Sequence, residues 1–499
     1  MRLALLDYIV IVGYLAGITG FGIAFRRVQG SARDYFLGGR TAPWWALALS
    51  IVATETSTLT IVGTPALAFA GNMTFLQLVL GYLVGRVVIV SVFLPRYFRG
   101  EFYTAYQVME SRFGVKVKAA AAGTFLVTRA LAEGVRIAAI GFVVHAALGT
   151  GQRASILLIL SLVLIYTFEG GMKAVIWTDV AQFLLCFCGS VLSVIFLLRA
   201  VPGGWTGVIH AAAATNKFRI FDFSFSLADP AKTYTFWSGV VGGAFLTMAS
   251  HGTDQAIVQR LLAAKNQRDS GKALLASGGI IFVQFALFLV LGVMLYAWRG
   301  APVIHSGESY DFIFPEFIVS ALPHGMRGLM LASILAIAMS NASGSLNSLA
   351  ASSVLDFQQL RGAVTDPSAG ASEIVPDGEA SRRFLRHSRW MTLVWGVVLA
   401  LLGTLRWGPM LEAGLTIASI TFGVLLGLFL LAFFLRWATA SGVLSGMFAG
   451  LAGMLYIHFR TPLLWPWYVL MGTAITFICG ALASAVPFAR NSKGTERNI

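Results

Sequence analysis

The amino-acid sequence predicts an all-α protein that crosses a lipid membrane about thirteen times. Of its 499 residues, 57% are hydrophobic and only 12% are charged, and the mean hydropathy is +0.78. Because soluble domains contain roughly a quarter charged residues, this composition excludes an ordinary soluble domain. Apolar runs of about 20 residues, the length that crosses a bilayer as a helix, recur along the chain. Polar side chains interrupt some of these runs near mid-membrane, which indicates a functional interior.

The predicted spans leave little chain for any further domain, so we expect residues 1–499 to form a single transmembrane domain. Their boundaries follow from hydropathy and carry an error of about four residues. The spans are roughly 5–25, 44–70, 74–98, 119–148, 154–168, 175–200, 234–260, 272–299, 326–357, 388–408, 411–435, 440–459 and 464–487.

The net charge of +14 does not indicate nucleic-acid binding, because the positive residues are concentrated in the loops on one side of the predicted membrane spans. About 23 of the Lys and Arg residues fall in segments assigned to the cytoplasm and about 10 in external ones. This skew predicts an external N-terminus and a cytoplasmic C-terminus. Arg26 and Arg27 follow the first apolar run, whereas a cleaved signal peptide has its positive charges before it. We therefore expect a lipid-embedded, multi-pass protein of the plasma membrane, which in a bacterium is the inner membrane.

The second span contains the first polar interruption, from Ala53 to Thr60. Glu55 and several hydroxyl side chains lie there, where a spanning helix is normally apolar. Gly63 and Pro65 follow closely. A charged group at this depth costs at least ~2.5 kcal/mol and marks a ligand pathway. A helix that breaks there exposes backbone carbonyls, which can coordinate a cation.

A second interruption, Met248–Arg260, lies five spans later and contains His251, Gly252 and Asp254. Broken helices at corresponding places in two halves of a chain are typical of inverted-repeat transporters. The alternative interpretation is a helix end, with Asp254, Gln255 and Arg260 in the headgroup region.

A third polar run, 339–348, contains six polar side chains at the middle of span 326–357. Small hydroxyl groups often serve only helix packing. Together with two broken helices, however, hydroxyl, amide and carbonyl oxygens indicate a site for an alkali cation.

Asp179 and a set of three charged residues in span 119–148 leave alternatives open. Asp179 either lines an ion exit path or is an interfacial aspartate paired with a nearby base. Arg129, Glu133 and Arg136 share one helix face. One carboxylate cannot neutralise two guanidinium groups, so this set is either a local structural network or a site with a positive charge left for an anionic solute.

The chain resembles the sodium/solute symporter family, which includes sugar, proline, sialic-acid, iodide, vitamin and monocarboxylate carriers. The motifs are DYFLGGR at 34–40, GGMKAVIWTD at 170–179, TDQAIVQR at 253–260 and LNS at 346–348. The resemblance implies the LeuT-type fold of two five-helix inverted repeats. These would cover about 44–200 and about 234–435, with extra helices at 5–25, 440–459 and 464–487.

The resemblance also implies a principal sodium site and sodium as the coupling ion. Its ligands would be the backbone carbonyls of Ala53, Thr56 and Ile337 and the side chains of Ser340 and Asn341. The family usually has Ser or Thr where this chain has Asn341. A second sodium site or exit path would involve Asp179 and Ser343, although a further serine of that site corresponds to Gly344 here.

The solute is less well determined by the sequence. The run 253–255 resembles sugar carriers, yet the lysine of glucose carriers corresponds to Ile281, with only Gln284 nearby. The stretch 62–66 is similar to the monocarboxylate, vitamin and iodide carriers. The predicted solute-binding residues are Glu55, Thr60, Gln77, Arg136, His251, Asp254 and Gln255.

The sequence thus predicts a sodium-coupled symporter that imports a small polar organic solute, namely a monocarboxylate, amino acid or sugar. A solute sensor on the same fold and a proton-coupled symporter remain alternatives. An enzyme ranks last, since no nucleophile–base pair or His-rich metal set occurs within the predicted spans. No obligate protein partner is evident.

Overall fold

The computed structural model describes residues 3–24, 38–99, 102, 104–148, 151–167, 172–300, 310–355, 379–405, 407 and 410–485. Two parts of the family motifs, residues 34–37 and 170–171, lie outside these ranges, as do Arg26 and Arg27. The described chain is helical, apart from turns, loops and an isolated bridge between Ala42 and Ala264.

The longer helices are numbered here in chain order. They are α1 Leu5–Ala24, α2 Trp44–Glu55, α3 Thr58–Ala70, α4 Leu76–Tyr97, α5 Gln107–Phe113, α6 Val115–Leu148, α7 Gln152–Thr167, α8 Met172–Ala200, α9 Gly204–Ala213, α10 Gly243–Gly252, α11 Gln255–Leu262, α12 Gln267–Arg299, α13 Ile313–Ala321, α14 Met326–Leu355, α15 Glu379–Gly403, α16 Met410–Phe434, α17 Ala440–Arg460 and α18 Tyr468–Ala485.

The predicted first break is present between α2 and α3, whose axes differ by 66°. Helix α2 ends because Thr56 turns to an extended conformation, with φ −73° and ψ 110°. Ser57 and Thr60 then form a reciprocal capping box, in which each side chain accepts a hydrogen bond from the other residue's backbone N–H. This cap satisfies donors that the start of a helix leaves without partners, so the sequence begins a new helix there.

The predicted second break is present between α10 and α11. Helix α10 ends at Gly252, and Asp254 accepts a hydrogen bond from the N–H of Ala256 as the N-cap of α11. The backbone is interrupted for two residues only. Asp254, Gln255 and Arg260 are all buried, so they do not occupy a solvated helix end.

The two broken helices lie among long helices at the centre of the bundle. Helix α2 packs against α8, α12 and α14, and α10 packs against α4 and α16. The α4–α10 contact is close because glycines face it. A Cβ on Gly243 would lie 2.2 Å from the carbonyl oxygen of Leu78, and one on Gly81 would lie 2.4 Å from that of Gly239. Small residues allow such close approach of helices.

Each predicted span coincides with one or more helices of the described chain. Within the described residues, seven helices are long and apolar enough to cross a membrane alone, and the bent α2–α3 pair raises this to eight. The count of about thirteen crossings therefore stays a prediction.

Candidate functional site

A cavity of about 140 Å³ lies between the two helix breaks. This is space for on the order of ten water molecules, which suits a small organic solute. Both breaks and helices α4, α6, α12 and α16 contribute to its wall. Its aromatic walls come from Phe75, Tyr82, Phe125, Phe285 and Phe422, and its charged and polar groups from Thr54, Glu55, Ser57, Thr60, Thr128, Arg129, Arg136, Thr247, Ser250, His251 and Asp254.

A buried charge cluster joins the two breaks at this cavity. Glu55, at the end of α2, forms an ion pair with Arg86 of α4. His251, in the last turn of α10, places Nε2 3.3 Å from the Glu55 carboxylate and 3.3 Å from the Arg86 guanidinium. Arg86 is fully buried, whereas the Glu55 side chain keeps 13% exposure toward the cavity. Arg86 was missed from the sequence, although an arginine within a predicted span is itself a signal of function.

A second charge cluster lies on the α6 side of the cavity. Arg136 Nη1 donates to Glu133 over 3.2 Å, and Ser345 of α14 links Glu133 to Arg129 by hydrogen bonds of 2.8 and 2.9 Å. Arg129 also forms a 3.5 Å ion pair with Asp254. The second positive charge of α6, which the sequence left without a partner, is therefore balanced by the carboxylate at the second break.

The predicted principal cation ligands come together where α14 passes the first break. Asn341 Nδ2 donates hydrogen bonds to the carbonyl oxygens of Thr56, over 2.8 Å, and Ile337, over 3.1 Å. Within the described part of the chain, Asn341 Oδ1 is buried without a hydrogen-bond partner. Thr56 also donates through Oγ1 to Gln284 over 3.0 Å, which places that glutamine at the first break rather than in the cavity wall. Ala53, one turn earlier on α2, is buried.

Asp179 of α8 lies at the centre of a fully buried polar network beside this site. It accepts hydrogen bonds from Ser340 and from Ser50, the latter over 2.6 Å, and pairs with Arg260 at 3.0 Å. The side chains of Asp179 and Arg260 are 1% and 3% exposed. Asp179 therefore has a basic partner, and the pair is buried inside the protein.

Three of the predicted residues lie away from the cavity wall. The Gln77 amide donates to the carbonyls of Thr74 and Tyr234 and accepts from the N–H of Asp222, which ties α4 to the segment before α10. Gln255 accepts a 2.7 Å hydrogen bond from the N–H of Ala105. Ser343 is buried on α14 one turn beyond Ser340. The other predicted solute-binding residues, Glu55, Thr60, Arg136, His251 and Asp254, all line the cavity.

The broken helices, the buried charges and the cavity between the breaks are those of a multi-pass membrane transporter of the LeuT type. The chain belongs to the sodium:solute symporter family, whose model matches residues 35–450.

Relatives and solved structures agree with this assignment. The chain is 28% identical to the sodium/sialic acid symporter NanT of Aliivibrio fischeri, over 98% of this chain and 95% of that protein. It is 30% identical to the human sodium/iodide cotransporter, over 90% of this chain and 69% of that protein. A substrate-bound, outward-open structure of a Na⁺-coupled sialic acid symporter superimposes with a TM-score of 0.83 at 25% identity, covering 96% of this chain and 98% of that chain.

Proposed function

We propose that this protein is a sodium-coupled symporter that imports a small polar organic solute by alternating access. The observation that supports this most directly is the position of the cavity, which lies between the two helix breaks, while the proposed cation ligands meet where α14 passes the first break. Solute and cation would then contact the same broken helix from two sides. Relatives described as sodium-coupled symporters support the same conclusion.

The residues around the first break fit a sodium ion. Carbonyl and hydroxyl oxygens are the hard ligands that alkali cations prefer. Ser340 donates its proton to Asp179, which leaves the lone pairs of its oxygen free to bind a cation. We assign the carbonyls of Ala53, Thr56 and Ile337 and the side chains of Ser340 and Asn341 to this site. Asp179 and Ser343 remain our prediction for a second ion or an exit path.

Sodium binding would be coupled to solute binding because the ion would join α2 to α14. An ion held between α2 and α14 stabilises the conformation in which these helices are close, and the solute binds the same conformation. Two ligands are coupled only when each binds one conformation better than the other. A membrane potential of ~100 mV contributes ~2.3 kcal/mol per charge and a roughly tenfold sodium gradient ~1.4 kcal/mol. One sodium ion would thus support accumulation of roughly a few hundredfold.

The charges around the cavity restrict the solute. The described residues supply three guanidinium groups, from Arg86, Arg129 and Arg136, and three carboxylates, from Glu55, Glu133 and Asp254. We propose that Arg136 binds an acidic group of the solute, because its side chain lines the cavity with 22% exposure and bonds Glu133 through Nη1. Glu55 and His251 would bind donors at the opposite end. A monocarboxylate or amino acid fits this polarity, and a sugar would use the hydroxyl of Thr60 and the carboxylates.

We also propose the arrangement of the chain in the membrane. The two repeats would span about 44–200 and about 234–435, each opening near a helix break, with the remaining helices flanking them. The positive-inside distribution supports a plasma-membrane protein with an external N-terminus and a cytoplasmic C-terminus.

Solute flux into proteoliposomes under a sodium gradient tests this function. We expect one solute among monocarboxylates, amino acids and sugars to accumulate with sodium outside and to stop when choline replaces it. Ser340→Ala should reduce sodium-stimulated uptake at least about tenfold, since a hydroxyl ligand is lost. Ser441→Ala, an exposed serine on α17, is the matched control. Undiminished sodium stimulation in Ser340→Ala would show that the sodium site is wrongly assigned, and solute binding without flux would favour the sensor.

A further inference from the structure

The side-chain amide of Asn341 occupies the position at which the first break is joined to α14. Its nitrogen lies 2.8 Å from the carbonyl oxygen of Thr56 and 3.1 Å from that of Ile337. These two oxygens belong to residues 281 apart in sequence, as the separations of 285 and 4 residues from Asn341 show. One N–H₂ group therefore ties the two helices together with both of its protons.

The amide nitrogen and a cation would compete for these oxygens. An amide NH₂ group presents partial positive charge to its acceptors, as a cation does, and it approaches the carbonyls along their lone pairs. While the nitrogen bonds both oxygens, an ion cannot use the same lone pairs at full strength. A serine or threonine at this position has a single proton and a shorter reach, so it cannot bridge the two carbonyls in this way.

The oxygen of the same amide, unlike its nitrogen, is not hydrogen-bonded to any of the described residues. Asn341 Oδ1 is buried and has no hydrogen-bond partner among the described residues, and Asn341 as a whole is 4% exposed. An unpaired buried acceptor is unfavourable and is stabilised by any cation or donor that reaches it. Rotation of the amide would exchange the two atoms and present Oδ1 to an ion between the carbonyls.

We propose that Asn341 is an internal substitute for sodium, whose amide nitrogen bridges Thr56 and Ile337 in the sodium-free protein and must turn away before sodium binds. This inference rests on the proposed sodium-coupled function and concerns what sets its sodium affinity. The amide holds α2 against α14 without an ion, so the sodium-free protein keeps part of the order that sodium would otherwise supply. Sodium affinity is correspondingly reduced.

Thermal unfolding of the purified full-length protein tests the proposal without a known solute. The melting temperature is measured from zero to saturating NaCl, with choline chloride holding the ionic strength constant, because a ligand that binds only the folded state raises it. Asn341→Ser removes the amide and keeps an oxygen ligand. We expect its half-maximal sodium concentration to be about tenfold lower than that of wild type, since two hydrogen bonds no longer oppose the ion. Its melting temperature in choline should be lower than that of wild type.

Ser333→Ala is the matched control, because Ser333 lies on the same helix outside the polar run 339–348 and its hydroxyl donates to the carbonyl of Met330 within that helix. It should respond to sodium as wild type does. A half-maximal concentration in Asn341→Ser that is equal to or higher than that of wild type overturns the inference while the sodium-coupled function stands. Stabilisation by sodium in neither protein overturns both. Stabilisation in Asn341→Ser alone would show that the amide excludes sodium from the wild-type site, which overturns both the sodium-coupled function and the reversible turn of the amide.

Discussion

At the two breaks, the helices that follow, α3 and α11, begin in the same way, but the helices that precede, α2 and α10, end differently. In both, a side chain next to the break caps the new helix, Ser57 at α3 and Asp254 at α11. At the second break, Thr253 donates its hydroxyl to the carbonyl of Ala249 over 2.7 Å, and Tyr97 donates to that of Gly252 over 2.5 Å. At the first break, the Thr56 carbonyl instead depends on Asn341 from a distant helix.

This difference indicates separate roles for the two breaks. The second break is closed by its own residues and by the neighbouring α4, so we expect its conformation not to depend on a ligand. The first break is closed by a group on α14, and its carbonyl becomes available to an ion whenever that group moves. We therefore expect the second break to supply fixed side chains to the cavity and the first break to respond to the proposed cation.

The largest expected effect comes from removing the charge that anchors α11. Arg260→Met leaves Asp179 buried without its ionic partner, and breaking such a pair costs about 3 to 5 kcal/mol. Unfolding by SDS titration in mixed micelles measures this loss. Arg268→Met, at an exposed position on α12, is the control and should leave stability nearly unchanged. Equal stability of the two variants would contradict the role of the Asp179–Arg260 pair.

A smaller effect is expected at the first break. Glu55→Gln leaves the Arg86 guanidinium without its carboxylate, but the cavity at Glu55 admits water and His251 remains close, so we expect a loss of about 2 to 3 kcal/mol. The same SDS titration measures it. The double variant Glu55→Gln/Arg86→Met should recover part of this loss, because it removes the buried charge that the single variant leaves unpaired. A double variant no more stable than Glu55→Gln would contradict this account.

The smallest effect is expected at the end of α10. Tyr97→Phe removes one buried hydrogen bond to the Gly252 carbonyl and should cost about 1 kcal/mol. Because the second break is independent of the cation, the melting temperature should fall equally in NaCl and in choline chloride. The exposed Tyr456→Phe is the control. A change in the sodium response of Tyr97→Phe would show that the second break also responds to the ion.

Most of the fold could be predicted from local sequence. Hydropathy located the helices to within several residues, since apolar length and the positive charges around it are local properties. Both breaks were also predicted, because Glu55 and Asp254 interrupt apolar runs next to residues that cap helices. The resemblance to the family also grouped the predicted cation ligands Thr56, Ile337 and Asn341, which are in contact in the structure.

The pairing of charges could not be predicted, and it determines the chemistry of the site. The sequence identified Glu55, Asp179 and the two arginines of α6 as candidates. It did not predict the ion pairs Glu55–Arg86, Asp179–Arg260 and Arg129–Asp254. It also suggested Gln77 and Gln255 as solute ligands, whereas the structure places their amides against backbone groups of other segments.

The sequence by itself determined which segments are helical, where two helices break and which polar groups lie within the membrane. Only the tertiary structure decided which of those groups meet. Ser50 and Arg260 are 210 residues apart, and Asn341 and Thr56 are 285 apart, yet both pairs are in hydrogen-bond contact. Such contacts depend on how helices pack across the bundle, and in a membrane that packing follows from small residues, close backbone approach and the need to satisfy every buried polar group.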